Sequence, residues 1–314
     1  MKLIDMHCDT LWAMNERGVG DLEKNELCID LEKLGQAESM AQFFACFIQL
    51  QKEGGAEAGY EKALQMIAYG KQQFETLSHK IGLARNMEDV RRFNKQGRIA
   101  AFLTIEEGGI LNGSLERLER LYQEGISMIT LMWNYENCIG FPNSADAHVM
   151  KSGLKFFGIE VIRHMNALGM YIDVSHMSDG CFWDTLRYSK APVIASHSNA
   201  RALCPHPRNL ADEMIKGLAE KGGVMGVNFY PYFLNRSGTA TLEDIANHVE
   251  HIYHVGGEDV IAIGTDFDGY DDGVSEVLHM GQMERVYDAV KRRGFTENQM
   301  EKFWSGNVMR AWKG

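Results

Sequence analysis

Proline is scarce in this chain, with 5 in 314 residues. No low-complexity segment and no fixed-period repeat stands out, so neither a repeat array nor a disordered tract is indicated. No C-x-x-C pair exists among the six cysteines, Cys8, Cys28, Cys46, Cys138, Cys181 and Cys204. Their scatter argues for free thiols rather than a disulfide framework or a thiolate metal site. The formal net charge is -11 and no dense Lys/Arg cluster occurs, which excludes the basic face of a nucleic-acid binder. The short pairs Arg91-Arg92 and Lys291-Arg292-Arg293 sit in helix-like stretches and read as solvated surface. The first residues, Met1-Lys2-Leu3-Ile4-Asp5, form no apolar signal region, and no window is apolar enough to span a bilayer. The last residues, Ala311-Trp312-Lys313-Gly314, carry no anchor tail. The expectation is a cytoplasmic protein without a membrane partner.

What is present is an ordinary globular composition, 45% hydrophobic and 24% charged. Apolar runs recur at Leu3–His7, Gln42–Gln49, Ile99–Glu106, Met128–Trp133, Met170–Ser175, Val193–His197, Val224–Phe229 and Val260–Asp266. Several are apolar almost throughout, as parallel strands buried on both faces are. Helical stretches lie between most of them: Glu57–Leu77, Ser114–Glu124, Leu154–Leu168, Asp179–Ser189, Asp212–Lys221, Leu242–His254 and Gly281–Arg293. Glycines 125, 169, 222, 256 and 294 come near helix ends, where they serve as stops. This alternation predicts an α/β fold, a (β/α)8 TIM barrel in one catalytic domain over residues 1–314. A doubly wound open sheet has the same alternation and differs only in closure. Asn134–Ser152 reads as a site-covering loop, and 297–312 as helix on the barrel exterior or base. Gly18–Gln36 has no functional reading.

Polar, ligand-type residues fall where five of the apolar runs end. His7-x-Asp9 closes the first run; residues i and i+2 of a strand share a face, so both can reach one ion while Cys8 points away. Alone, this is merely a polar strand end. Glu106-Glu107-Gly108-Gly109 closes the third. Its carboxylate could bridge two cations, and pattern alone does not choose between Glu106 and Glu107. His176 and His197 each follow a buried-type strand. A lone histidine there is a common rim residue, but two on neighbouring strands favour ligation. Ser175, Ser196 and Ser198 could orient those rings. Asp266 and Asp268 lie in Gly264-Thr265-Asp266-Phe267-Asp268-Gly269, where Asp-Gly is also a turn signal; Asp266 is placed as general base and proton shuttle, and Asp268 as its orienting neighbour at the substrate. Arg208, in the loop after His197, offers a fork for a carboxylate. His248, His251 and His254 have helical spacing and read as an exposed face; His148 and His206 sit in loops.

Taken in order, these segments resemble the renal or membrane dipeptidase family, zinc dipeptidases of the amidohydrolase type of barrel. The resemblance rests on His7-x-Asp9, Glu107-Gly-Gly, Asp173-Val-Ser-His176, Pro192-Val-Ile-Ala-Ser-His197-Ser, Arg208-Asn209, Val227-Asn228-Phe229-Tyr230 and Gly264-Thr-Asp266-Phe-Asp268-Gly. It implies a two-zinc site, with one ion held by His7, Asp9 and Glu107 and the other by Glu107, His176 and His197, so that Glu107 is the shared ligand. It matches Asp266 to the catalytic acid/base and Arg208 to the holder of a dipeptide's C-terminal carboxylate. Some family members carry a histidine after the fourth strand that contacts the substrate carbonyl. Here the run is Leu131-Met132-Trp133-Asn134-Tyr135, and Asn134 is the available donor. The expected reaction is attack on a dipeptide's peptide bond by a hydroxide bridging two zinc ions, with C-terminal D-residues among the substrates to be tried. The alternative is a binuclear amidohydrolase acting on an N-acyl amino acid, a lactam or another small amide. The resemblance also suggests a homodimer.

Overall fold

Strands made of consecutive apolar residues need cover on both faces, and a closed barrel ringed by helices provides it. The computed structural model describes residues 1–312; Lys313 and Gly314, the end of the terminus expected to lack an anchor, lie outside the described residues. The strands are β1 (Leu3–Cys8), β2 (Ser39–Phe47), β3 (Ile81–Leu83), β4 (Ile99–Glu106), β5 (Ile126–Thr130), β6 (Tyr171–Asp173), β7 (Ile194–Ala195), β8 (Val224–Val227), β9 (Thr239–Ala240), β10 (Ile261–Ile263) and β11 (Val274–Ser275).

All pairings in the main sheet are parallel, in the order β2-β1-β10-β8-β7-β6-β5-β4. β4 then pairs with β2, from Ala41 opposite Ala100 to Phe47 opposite Glu106, and this contact closes the ring. The open-sheet alternative is thereby excluded. β3 adds to the start of β4, and β9 pairs with β11 in a separate ribbon. β3 and the helix Met87–Lys95 after it were not read from the sequence. Three residues are too few to show a period.

Two cores result. One lies between barrel and helices, and Cys8 and Cys46 belong to it, so Cys8 does point away from the barrel axis. The other fills the barrel's lower half, where Ile4, Met6, Phe43, Phe102, Met128 and Tyr171 converge. Trp312 plugs that end, its ring stacked 3.6 Å from Tyr171 and edge-on to Phe43 at 4.7 Å. The C-terminal segment therefore seals the base of the barrel. The helix Leu115–Gln123 starts on Ser114, whose hydroxyl accepts the Arg117 N–H. Asn134–Ser152 is irregular apart from a short helix, Ala147–Lys151, and one bridge from Pro142 to Met177. No helix among the described residues is long and apolar enough to cross a membrane.

Candidate metal centre

Because every barrel strand is parallel, all their C-terminal ends open on one face. The ligand-type residues gather there. His7 Nε2 lies 3.4 Å from Asp9 Oδ2, 3.2 Å from Glu106 Oε2 and 3.8 Å from Asp266 Oδ1. The other oxygen of the same glutamate, Oε1, lies 3.1 Å from His176 Nε2 and 3.7 Å from His197 Nε2. Those two nitrogens are 3.1 Å apart. The His7 and His197 rings stack at 3.8 Å.

The carboxylate at the centre is that of Glu106. Glu107, expected as the shared ligand, is turned away and accepts from the Gly109 and Trp133 N–H groups and the Asn137 amide. The cause is local. Glu107 has φ of 109°, a left-handed backbone that ends the strand at Glu106. Glu106 is thus the last residue with strand geometry and the one whose side chain faces the axis. His176, Asp266 and Asp268 also have positive φ, at 69°, 61° and 66°. Strained backbone of this kind persists where surrounding structure over-determines it and clusters at functional sites.

Asp268 departs from its expected role at the substrate. Its two oxygens accept from the Thr10 hydroxyl at 2.6 Å and the Cys28 N–H at 2.9 Å, so it ties the helix Thr10–Arg17 and the loop of residues 18–30 to the strand end instead of facing the cleft. Asp266 does face the cleft, and the Asn228 amide holds its Oδ2 at 2.8 Å. Asn134 lines the cleft and its Oδ1 meets His176 Nδ1 at 2.9 Å, orienting that ring. Arg208 is buried, donating to the Ser198 hydroxyl and the His197 carbonyl at 2.7 Å each, with Nε unpartnered. His248 is buried rather than exposed; it accepts from the Ala200 N–H and contacts the Leu234 carbonyl. His206 accepts from the Arg208 N–H, and His251 pairs with Asp212. Neither lines the cleft, nor does His148.

The cleft above the cluster measures about 240 Å³ and is walled by Trp12, Phe47, Trp133, Tyr230, Phe233 and Tyr270, with Asp271 and Asp272 also lining it. Most of this wall carries no motif in the sequence. The available signal was aromatic residues at or just past strand ends, as at Phe47 and Tyr230.

The electrostatics suit a cation. Burial, reinforced by Glu106, pushes the Asp9 carboxyl up to about 7, and burial plus Glu106 pushes Asp266 up to about 6. Burial also acts to raise Glu106, but His7 and His176 outweigh it and hold that group well below the usual carboxylate range. Burial, with Arg208 nearby, lowers His176 to about 4 and lowers His197 as well, so both rings are neutral, the form that binds a metal. His7 Nδ1 and Asp9 Oδ1 are buried with no hydrogen-bond partner among the described residues, while His7 Nε2 is surrounded by the carboxylates of Asp9, Glu106 and Asp266. Buried polar atoms left so are costly. Imidazole and carboxylate donors facing one point are the set used for zinc and similar divalent ions, and two overlapping groups, His7-Glu106-His197 and His7-Asp9-Asp266, converge closely enough to hold one.

A model of the membrane dipeptidase family (peptidase family M19) matches residues 1–314. Among curated relatives, an uncharacterised dipeptidase of Schizosaccharomyces pombe is 32% identical over 99% of this chain and 80% of its own. An uncharacterised Klebsiella pneumoniae protein encoded 5′ of pqqA is 34% identical over 79% of this chain and 94% of its own. A solved dipeptidase of family M19 superposes with a TM-score of 0.89 at 23% identity, covering 100% of this chain and 99% of that one. A Rhodobacter sphaeroides metallopeptidase, liganded with a phosphinate mimic of the dipeptide L-Ala-D-Ala, superposes with a TM-score of 0.88 at 22% identity over 99% of both chains. With a model of the family matching its whole length, and with the same barrel as these structures, the chain belongs to the membrane dipeptidase family, peptidase family M19, and is a metallo-dipeptidase.

Proposed function

We propose that this site hydrolyses the peptide bond of dipeptides at a pair of zinc ions, with Glu106 as the shared ligand. The observation that carries the reading is the split of one carboxylate: Oε2 faces His7 and Asp9, while Oε1 faces His176 and His197. Those two sets would each hold one ion. Divalent ions so held supply an acidified water and a polarised carbonyl near neutral pH.

The remaining work belongs to side chains. Asp266, with Oδ2 fixed by Asn228, has Oδ1 free toward the cluster. A carboxyl raised to about 6 is suited to accept the water's proton and return it to the departing amine. Asn134 keeps its amide nitrogen for the carbonyl oxygen while its Oδ1 holds His176. Arg208 pairs with the C-terminal carboxylate and so measures substrate length, because a longer peptide has no carboxylate at that distance. The small cleft and its aromatic wall hold the two side chains and exclude water. Dipeptides with a C-terminal D-residue are included among the substrates, in keeping with the L-Ala-D-Ala mimic in the Rhodobacter relative.

The test is hydrolysis of L-L and L-D dipeptides, matched tripeptides and N-acyl amino acids by zinc-loaded protein, with a chelated control. Chelator-sensitive cleavage confined to dipeptides is expected. Two bound equivalents of zinc with cleavage of acyl amino acids alone would move the substrate to another amide. Asp266→Asn should keep the metal and lower kcat by about 100-fold or more; unchanged kcat would end its role.

A further inference from the structure

Beneath the candidate ligands lies a buried polar chain that the reaction described above does not use. Asp173, at the end of β6, is fully buried and accepts from the Thr130 hydroxyl at 2.6 Å, the Ser175 N–H at 3.0 Å, the Ser196 N–H at 2.9 Å and the Ser196 hydroxyl at 2.6 Å. Ser196 Oγ in turn lies 2.6 Å from His197 Nδ1. A hydroxyl has one proton. With that proton directed to Asp173, Ser196 can only accept from the ring, so the His197 proton resides on Nδ1 and the Nε2 lone pair points at Glu106 and His176. The Ser175 hydroxyl braces the arrangement, 3.3 Å from Ser196 Oγ and accepting the backbone N–H of His197 at 3.2 Å.

We infer that Asp173 and Ser196 are positioning residues that lock His197 in its Nδ1–H tautomer through an Asp–Ser–His relay and thereby set how tightly the cation beside His197 is held. The inference rests on the metal reading above. The relay differs from the support of the other histidine, since His176 is held by Asn134, which lies exposed in the cleft. His197 and its relay are wholly buried, so bulk solvent does not compete for these hydrogen bonds.

Two substitutions act on the relay in different ways. Ser196→Ala removes the acceptor from Nδ1 and leaves Asp173 with its other three donors. Asp173→Asn places an amide N–H against Ser196 Oγ. The serine proton is then redirected onto His197 Nδ1, which forces the ring proton to Nε2, where it opposes a cation. Metal affinity is to be measured by competition with a chromophoric zinc chelator, together with the visible spectrum of the cobalt-substituted protein. Ser196→Ala is expected to weaken one of the two sites by about 10- to 100-fold and to alter the cobalt spectrum. Asp173→Asn is expected to weaken it further. Affinities and spectra within about twofold of wild type in Ser196→Ala would overturn the relay, as would a loss in Ser196→Ala with none in a folded Asp173→Asn. If Asp173→Asn does not fold, Ser196→Ala alone decides. Wild-type protein that binds no divalent ion would overturn the metal reading itself, a result distinct from both.

Discussion

At the scale of single residues, the site turns on which of two adjacent glutamates faces the axis. Glu106→Gln removes the charge between three imidazoles, so metal content should fall below that of wild type and kcat/KM by about 1000-fold or more. Glu107→Gln disturbs only the acceptor of Gly109, Trp133 and Asn137. It should retain the metal and cost about 1–3 kcal/mol in stability. Metal analysis and urea unfolding of both variants check this, and the reverse pattern would restore Glu107 as ligand. Arg208→Met should raise KM for dipeptides by about 100-fold while kcat changes less, because a charged pairing to the substrate carboxylate is lost. An unchanged KM would remove the length-measuring role.

At the scale of elements, the ends of strands and the seams between them carry the site. A Cβ on Gly264 would overlap the Ser196 carbonyl, since β10 passes close to the residue just before His197. Gly264→Ala should therefore cost more than about 4 kcal/mol or prevent folding, read as lost soluble expression or a collapsed Tm. The helix Leu242–Gly256 is pinned by His248 to the Ala200 N–H and the Leu234 carbonyl, and burial holds that ring near 4, below its ordinary 6.5. The folded state therefore keeps this ring neutral. Its contribution is fully present above pH 6.5 and is lost as pH falls toward 4, where the unfolded chain binds the extra proton. A difference of that size amounts to about 3 kcal/mol. The fall in Tm between pH 7 and pH 5 should be smaller in His248→Gln than in wild type, and an equal fall would show that another group governs the window.

At the scale of the whole molecule, the site gathers Asp9, Glu106 and Asp266 within a few ångströms of one another at the mouth of a barrel whose base is sealed by Trp312. A cation relieves that crowding, so removing metal by chelation should lower Tm by about 5 °C or more and restoring zinc should recover it; a Tm indifferent to chelator would mean that the ligands are not loaded in the folded protein. A parallel sheet covered by helices was legible in the chain because mainly apolar runs such as Val193–His197 and Val260–Asp266 alternate with helical stretches; its closure into a barrel was not. His7, Asp9, His176, His197 and Asp266 were legible because each follows such a run and parallel strands deliver their ends to one face. Short β3 and the loop of residues 18–30 were not, since neither has a period; the loop's tie to the site is a backbone N–H from Cys28 to Asp268, which any residue other than proline could provide. What the sequence determined by itself was the alternation of buried strands and amphipathic helices and the chemistry at the strand ends. Tertiary structure decided the closure of β2 on β4, the choice of Glu106 over Glu107, the structural engagement of Asp268 and the support of His197 by Asp173. Each of these depends on where a strand stops and what lies across from it, and a left-handed φ at one residue or a hydrogen bond across 23 positions leaves no trace in local pattern.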